Sequence, residues 1–409
     1  MEAAGRTSET SSRITVAEAF IGTYSGGIAK LNFAQNILPG EKFASVDSEK
    51  HQQCSLSSEN SPITVIKAFG SVVLSASVRK VAVYSAADAG EAAVFAAFGA
   101  SNGEVAFLDV SRSVLLETFD SQTECVNDLA FVRLHDRTFL LAAGGKTRGK
   151  LAVWLCTGQP FRKWFLKKTL SLGKWPITHI VMTRNKAQFF TLDERPQLTL
   201  WSLEKLLESK RNRGCRPRNT SNGRESIKSL AFPELRFRLG FRPESVEWCP
   251  ESAVFFFAGR SILEMYDLNS GTAVSSEKLT DALISCVYFV REYGANSGNR
   301  YAFLGTSRGE VLLIQCISNS DGESSFKVID RLAVESAEER CRPGKIRDIG
   351  LISISESALD IVALTSFRLF SCRFFPLKEE KAFVDSVTDF GHRITCSYLH
   401  RLSKNKHHC

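Results

Sequence analysis

The sequence predicts an all-β chain closed into a ring, a seven-bladed β-propeller of 409 residues. Three observations carry that prediction. A short apolar run directly after a turn recurs seven times. The run is commonly preceded by a strand ending in small residues. A stretch near the N-terminus, Ile21 to Phe33, reads as two strands around Gly26-Gly27 that lack partners enough to bury a face, and a matching strand, Arg393 to Leu399, lies at the other end of the chain. If these segments share one blade, the two ends close the ring.

Taken in order, the recurring runs are Gly27–Leu31, Gly103–Asp109, Gly149–Trp154, Gln197–Trp201, Ser261–Asp267, Gly309–Ile314 and Phe367–Phe370, each read as the third strand of a blade. From the second run onward their spacing of about 45–65 residues is close to that of a WD-type blade with insertions. Second strands end in Phe98-Gly99-Ala100, Ala142-Ala143-Gly144 and Leu304-Gly305-Thr306, where small residues let neighbouring backbones approach. First strands are Val126–Phe131, Ile177–Val181, Ser245–Pro250, Ile284–Phe289 and Ile346–Ile349. Lys80–Tyr84 reads as one more first strand, with a truncated eighth blade as the alternative. Short, turn-bounded strands with little helical periodicity exclude an α or α/β fold. The Trp-Asp signature is degenerate: Trp154 and Trp201 hold the Trp position, and Leu108-Asp109 and Tyr266-Asp267 are relics of the pair.

Residues 1–13 are polar and read as a disordered N-terminus, 14–400 as a single propeller, and 401–409 as a short basic tail. Residues 36–60 read as a long polar loop, and Asp330 to Lys345 as an insertion of mixed charge. An apolar content of 44% against 23% charged supports a large core. Eleven cysteines without a CxxC pair suggest neither a zinc ligand set nor a disulfide framework, and fit reduced thiols in an intracellular protein. Met1 to Ser12 holds no apolar signal segment, and no apolar run approaches the roughly 20 residues that span a bilayer. Neither a membrane nor a cofactor is expected.

No catalytic constellation stands out. The histidines are dispersed, and His179 on a first strand reads as structural. Gly22 to Gly27 lacks the Gly-Lys-Ser/Thr of a phosphate-binding loop. Asp193-Glu194 and Glu338-Glu339 read as solvated acids, and Cys249 as a core thiol. A cluster of ionisable groups in the central channel would be needed to support an enzyme. Asp128, Glu247 and Asp348 sit on first strands, where polar side chains face the channel mouth or a partner.

The net charge of +8 is modest over so large a surface, but it is concentrated. The insertion 205–224 carries Lys205, Lys210, Arg211, Arg213, Arg216, Arg218 and Arg224 against the single acid Glu208, and its Gly214, Pro217 and Gly223 mark it as mostly loop. Such a loop would neutralise phosphates and release counterions, reading backbone and shape rather than bases; a solvated loop without a partner is the other reading. A second patch, Arg162, Lys163, Lys167 and Lys168, interleaves Trp164 and Phe165 and is followed by Lys174-Trp175. Its aromatics suit base stacking, but a fourth strand that buries alternate residues explains them as well and is preferred.

Several stretches in order resemble one family. Val246-Glu247-Trp248-Cys249-Pro250 is followed by Ile262-Leu263-Glu264-Met265-Tyr266-Asp267-Leu268, and preceded by Leu198-Thr199-Leu200-Trp201-Ser202-Leu203. Phe20-Ile21-Gly22-Thr23-Tyr24 opens the chain, and Lys345-Ile346-Arg347-Asp348 and Arg393-Ile394-Thr395-Cys396 close it. In order and spacing these resemble the PAK-interacting WD-repeat family, which includes the yeast killer-virus maintenance protein. The resemblance implies a non-catalytic nucleolar or nuclear scaffold in assembly of the pre-60S large ribosomal subunit. Its partners would be assembly factors, ribosomal proteins and pre-rRNA, and DNA is not expected. The alternative is a cytoplasmic signalling adaptor or negative regulator of a protein kinase. The family's long Lys-rich tail is replaced here by the short Lys404-Asn405-Lys406-His407-His408.

Overall fold

The computed structural model describes residues 13–36, 63–86, 93–157, 163–183, 187–208, 235–249, 254–268, 271–290, 300–318, 324–334, 344–355, 358–378, 380–390 and 393–401. They form seven four-stranded antiparallel sheets. Blade 1 is β4 (Val78–Ala86), β5 (Ala93–Ala100), β6 (Glu104–Asp109) and β7 (Val114–Asp120). Blade 2 is β8 (Val126–Leu134), β9 (Arg137–Gly144), β10 (Gly149–Thr157) and β11 (Lys163–Gly173). Blade 3 is β12 (Ile177–Met182), β13 (Gln188–Asp193), β14 (Gln197–Ser202) and β15 (Leu235–Arg238), with helix α1 (Leu203–Glu208) after β14. Blade 4 is β16 (Ser245–Cys249), β17 (Val254–Gly259), β18 (Ile262–Asp267) and β19 (Thr272–Lys278). Blade 5 is β20 (Ile284–Val290), β21 (Arg300–Thr306), β22 (Glu310–Ser318) and β23 (Ser324–Ala333). Blade 6 is β24 (Asp348–Ile354), β25 (Leu359–Leu364), β26 (Arg368–Phe374) and β27 (Phe383–Asp389). Blade 7 joins the two ends of the chain in the order β28 (Ile394–Arg401), β1 (Arg13–Thr23), β2 (Gly27–Asn36), β3 (Ile63–Val73).

The first strands of consecutive blades touch in turn, and β28 meets both β24 and β4, so the ring is closed. Each of the seven apolar clusters straddles one blade interface. Phe20, Val81 and Phe98 join blades 7 and 1, and Phe303, Ile361 and Phe374 join blades 5 and 6. This layout explains the strand chemistry. Second and third strands are covered on both faces by neighbouring blades, so β9 (Thr138 onward), β17 and β21 (Tyr301 onward) are almost continuously buried. Fourth strands have one open edge and one wet face, so β7 and β27 are largely exposed or alternate. Small residues at the ends of second strands serve the close approach expected of them. A β-carbon on Gly99 would collide with Val126 of the next blade, one on Gly305 with Ile346, and one on Gly22 with Val78.

All seven recurring runs are third strands, Lys80–Tyr84 lies in the first strand of blade 1, and seven sheets account for the described strands with no eighth blade. Three details differ from expectation. Arg13 already belongs to β1. Lys205 lies in α1 rather than in a loop. Asp330 belongs to the fourth strand of blade 5, so its insertion starts later. Asn36 of the long polar loop ends β2, and the rest of that loop, the tail from 402 and residues 209–234 of the basic insertion and its flank lie outside the described residues.

Candidate functional site

Polar side chains at matching positions of the first strands tie the blades together around the central channel. A bulge near the start of β4, β8, β12 and β20 breaks the alternation there. Three bulged residues, including Thr395 at a bulge in β28, point at the next blade: the Asn127 amide donates to the Ile177 carbonyl at 2.8 Å, the Ser285 hydroxyl to the Ile346 carbonyl, and the Thr395 hydroxyl to the Val78 carbonyl. Other first-strand side chains reach the next blade as well. Asp128 accepts from Leu129 N–H at 2.8 Å and from Ile180 N–H of blade 3 at 2.7 Å, and pairs with Lys80 of blade 1 at 3.2 Å. Ser245 accepts from Val287 N–H at 3.2 Å, and Asp348 from Ile349 N–H and the Ser397 hydroxyl.

Lys80, Asp128, His179 and Asp348 thus form a channel cluster, the arrangement set above as the condition for an enzyme. Its chemistry is that of a structural belt. The Asp128 carboxylate, next to Lys80, raises the lysine's pKa, with Asp348 adding to it. Burial pushes the Asp348 carboxyl up, against the Ser397 hydrogen bond and Lys80. Burial pushes the His179 imidazole down to about 4 despite Asp128 nearby, so it is neutral at physiological pH. Both oxygens of Asp128 and the carboxylate of Asp348 are engaged by neighbouring strands, which leaves them poor candidates for acid–base work. Among the described residues no group of three or more His, Cys, Asp or Glu side chains is placed to hold a metal ion. The seven described cysteines are buried. Burial lifts the thiols of Cys156, Cys316, Cys372 and Cys396 to about 12, so they stay protonated and weakly nucleophilic at neutral pH.

One face of the ring combines exposed apolar side chains with cations. Backbone hydrogen bonds place the turn between second and third strands beside the loop that enters each first strand: Tyr24 N–H to Arg393 O, Ser101 N–H to Ser77 O, Glu194 N–H to Pro176 O and Ser307 N–H to Leu283 O. This turn-bearing face exposes large apolar side chains that a lone surface would bury, Tyr24 at 61%, Leu283 at 56%, Phe367 at 54% and Trp175 at 38%. Between them stand Arg79, Lys146, Arg148, Lys174, Arg195, Arg242, Arg260, Arg308 and Lys345, all exposed. Guanidinium groups lie over two of the rings, Arg393 over Tyr24 at 5.3 Å and Arg195 over Trp175 at 4.3 Å. Acids on the same loops are partly neutralised: Glu124 by Lys150, Glu194 by Arg242 at 3.7 Å and Glu244 by Lys345 at 3.4 Å.

Of the basic residues singled out in the sequence, Lys210, Arg211, Arg213, Arg216, Arg218, Arg224 and Arg162 lie outside the described residues. Lys163 and Lys167 are exposed on β11, the outer strand of blade 2, with Lys163 over the exposed Phe165 ring at 5.5 Å. Lys168 is half-buried and donates to the Leu206 carbonyl, which anchors α1 to blade 2. Trp164 is buried against Phe107 of blade 1 with ring centroids 4.9 Å apart, as a fourth-strand residue facing the core should be. The sequence reading missed the arginines of the turn-bearing face. A signal for them existed: Arg148, Arg195, Arg260 and Arg308 stand one or two residues ahead of the third strand in blades 2 to 5. Aligning the turns as well as the strands exposes that repeat.

Compared with known proteins, the chain matches no family model and no curated protein.

Proposed function

We propose that this propeller is a non-catalytic scaffold in assembly of the pre-60S large ribosomal subunit, docking assembly factors and touching pre-rRNA, and that it works in the nucleolus. One observation carries the docking role: exposed aromatic and aliphatic side chains interleaved with arginines on the turn-bearing face of a closed ring. Aromatic and arginine side chains dominate binding hot spots, and a rigid ring presents them without an ordering cost on association. The cationic face and the cation-rich insertion 205–224 suit a polyanionic neighbour. Ribosome assembly in particular rests on the order of the family-like stretches from Phe20 to Cys396.

The test is sedimentation. A tagged full chain in a cell extract should run with pre-60S particles on a sucrose gradient at low salt and be partly released at moderate salt. Replacing Arg211, Arg213, Arg216 and Arg218 with Ala should weaken association if the insertion touches RNA. A protein that stays at the top of the gradient would overturn the assembly role and favour the signalling adaptor.

A further inference from the structure

Between blades 2 and 3 the turn-bearing face opens into a cleft of about 270 Å³. Lys174 and Trp175 line it from the loop entering β12, Asp193 and Gln197 from the turn between β13 and β14, and Thr199 and Arg236 from the outer strands of blade 3. Its parts are fixed. Asp193 Oδ1 accepts from Arg195 N–H at 2.9 Å and Gln197 N–H at 3.1 Å, which pins the turn. Among the described residues its other oxygen, Oδ2, has no donor. Gly149 admits the Trp175 loop, since a β-carbon there would sit 2.5 Å from the Trp175 carbonyl. Arg195 backs the indole, and Trp175 is the one tryptophan of the five that is exposed.

The cleft therefore offers three chemistries at once: a flat aromatic platform, cations at the lip, and a carboxylate oxygen seeking a donor beside an amide and a hydroxyl. An acidic peptide would use only the cations and be repelled by Asp193. A basic peptide would use Asp193 and Trp175 but be repelled by Lys174, Arg195 and Arg236. A nucleotide uses all three. We propose that this cleft binds one nucleotide of single-stranded RNA, its base stacked on Trp175, the base edge donating to Asp193, and its phosphates held by Lys174 and Arg236. Guanine, whose N1–H and N2–H groups are both donors, is the base that fits best. The cleft is open, and exposed cations continue beyond it at Arg148, Arg242 and Arg260, which suits a strand crossing the face rather than a free mononucleotide. The choice of RNA rests on the assembly-scaffold reading; the stacking site itself rests on the cleft.

The experiment uses the full chain and short, labelled U-rich oligoribonucleotides with one central G, A, C or U, read by anisotropy and by tryptophan fluorescence at low and moderate salt. Supporting results are tightest binding to the G oligonucleotide, with quenching of the exposed tryptophan. Trp175→Ala should weaken binding about tenfold and abolish the quenching, and Trp175→Phe should keep most of the affinity. Asp193→Asn should erase the preference for G with a smaller loss of overall affinity. Far-UV circular dichroism checks that the variants keep the fold. Binding unaffected by Trp175→Ala and Arg236→Ala would overturn the proposal. So would GMP matching the oligonucleotide in affinity, or a poly-glutamate peptide occupying the cleft where RNA does not. Sedimentation separates the two readings. If wild type runs with pre-60S particles but binds no oligonucleotide, the cleft proposal alone falls. If oligonucleotides bind through Trp175 but the protein never enters particles, the assembly role alone falls.

Discussion

Asp128 links the inner strands of three successive blades, through Lys80 on one side and Ile180 N–H on the other. Asp128→Ala removes a charged acceptor from two backbone N–H groups and leaves Lys80 without its nearest counter-charge. Because Lys80 still reaches water in the channel, with 40% of its side chain exposed, the expected loss is about 2–4 kcal/mol, measured by urea unfolding. His179, two strands from Lys80 in the same belt, makes stability pH-dependent. Its imidazole is pushed from 6.5 down to about 4 in the fold, so the folded state binds its proton less readily than the unfolded chain. The contribution is complete above about pH 6.5 and is lost as pH falls through about 4, on the order of 3 kcal/mol in all. Asp348 works in the opposite sense: its carboxyl is raised by burial, so it favours the fold most at low pH and loses that contribution as pH rises through its shifted value. Urea unfolding near neutrality and at about pH 4.5 should therefore show a steeper acid loss in wild type than in His179→Gln. Parallel losses would refute the assignment to His179.

At the scale of the element, the repeating device is the end of the second strand pressed against the first strand of the next blade. Gly99→Ala puts a methyl group into Val126 and should cost about 1–3 kcal/mol, seen as a lower melting temperature. The same change at Gly173, where a β-carbon meets nothing within 4 Å, should leave packing unchanged. This device was legible in the sequence because it rests on residue size and recurs in Gly99 and Gly305. Third strands were legible for a related reason: burial on both faces produces a continuous apolar run after a turn. The inter-blade ties were not. Asn127, Ser285 and Thr395 sit where a bulge breaks the two-residue alternation, so pattern alone does not say which way they point. Lys174-Trp175 stood out only as the continuation of a basic patch; that Trp175 lines a cleft depends on how the Gly149 turn and the Asp193 turn meet in space.

For the whole molecule, closure is the decisive contact. Ile394, Phe20 and Ile21 are buried where blade 7 meets its neighbours. Ile394→Asp should put an unpaired charge there, open the ring, and turn a cooperative calorimetric transition into a broad one. Early proteolysis within β1 to β3 should accompany the change. The same closure dictates an order of events during synthesis. Blade 7 takes its outer three strands from the start of the chain and its innermost strand from the end, with roughly 320 residues between β3 and β28. At ribosomal speeds of about 5–20 residues per second, β1 to β3 wait on the order of half a minute for the strand that completes their sheet. Until then the nascent chain carries an unpaired sheet edge and an uncovered apolar face, so the ring locks only once β28 has been made.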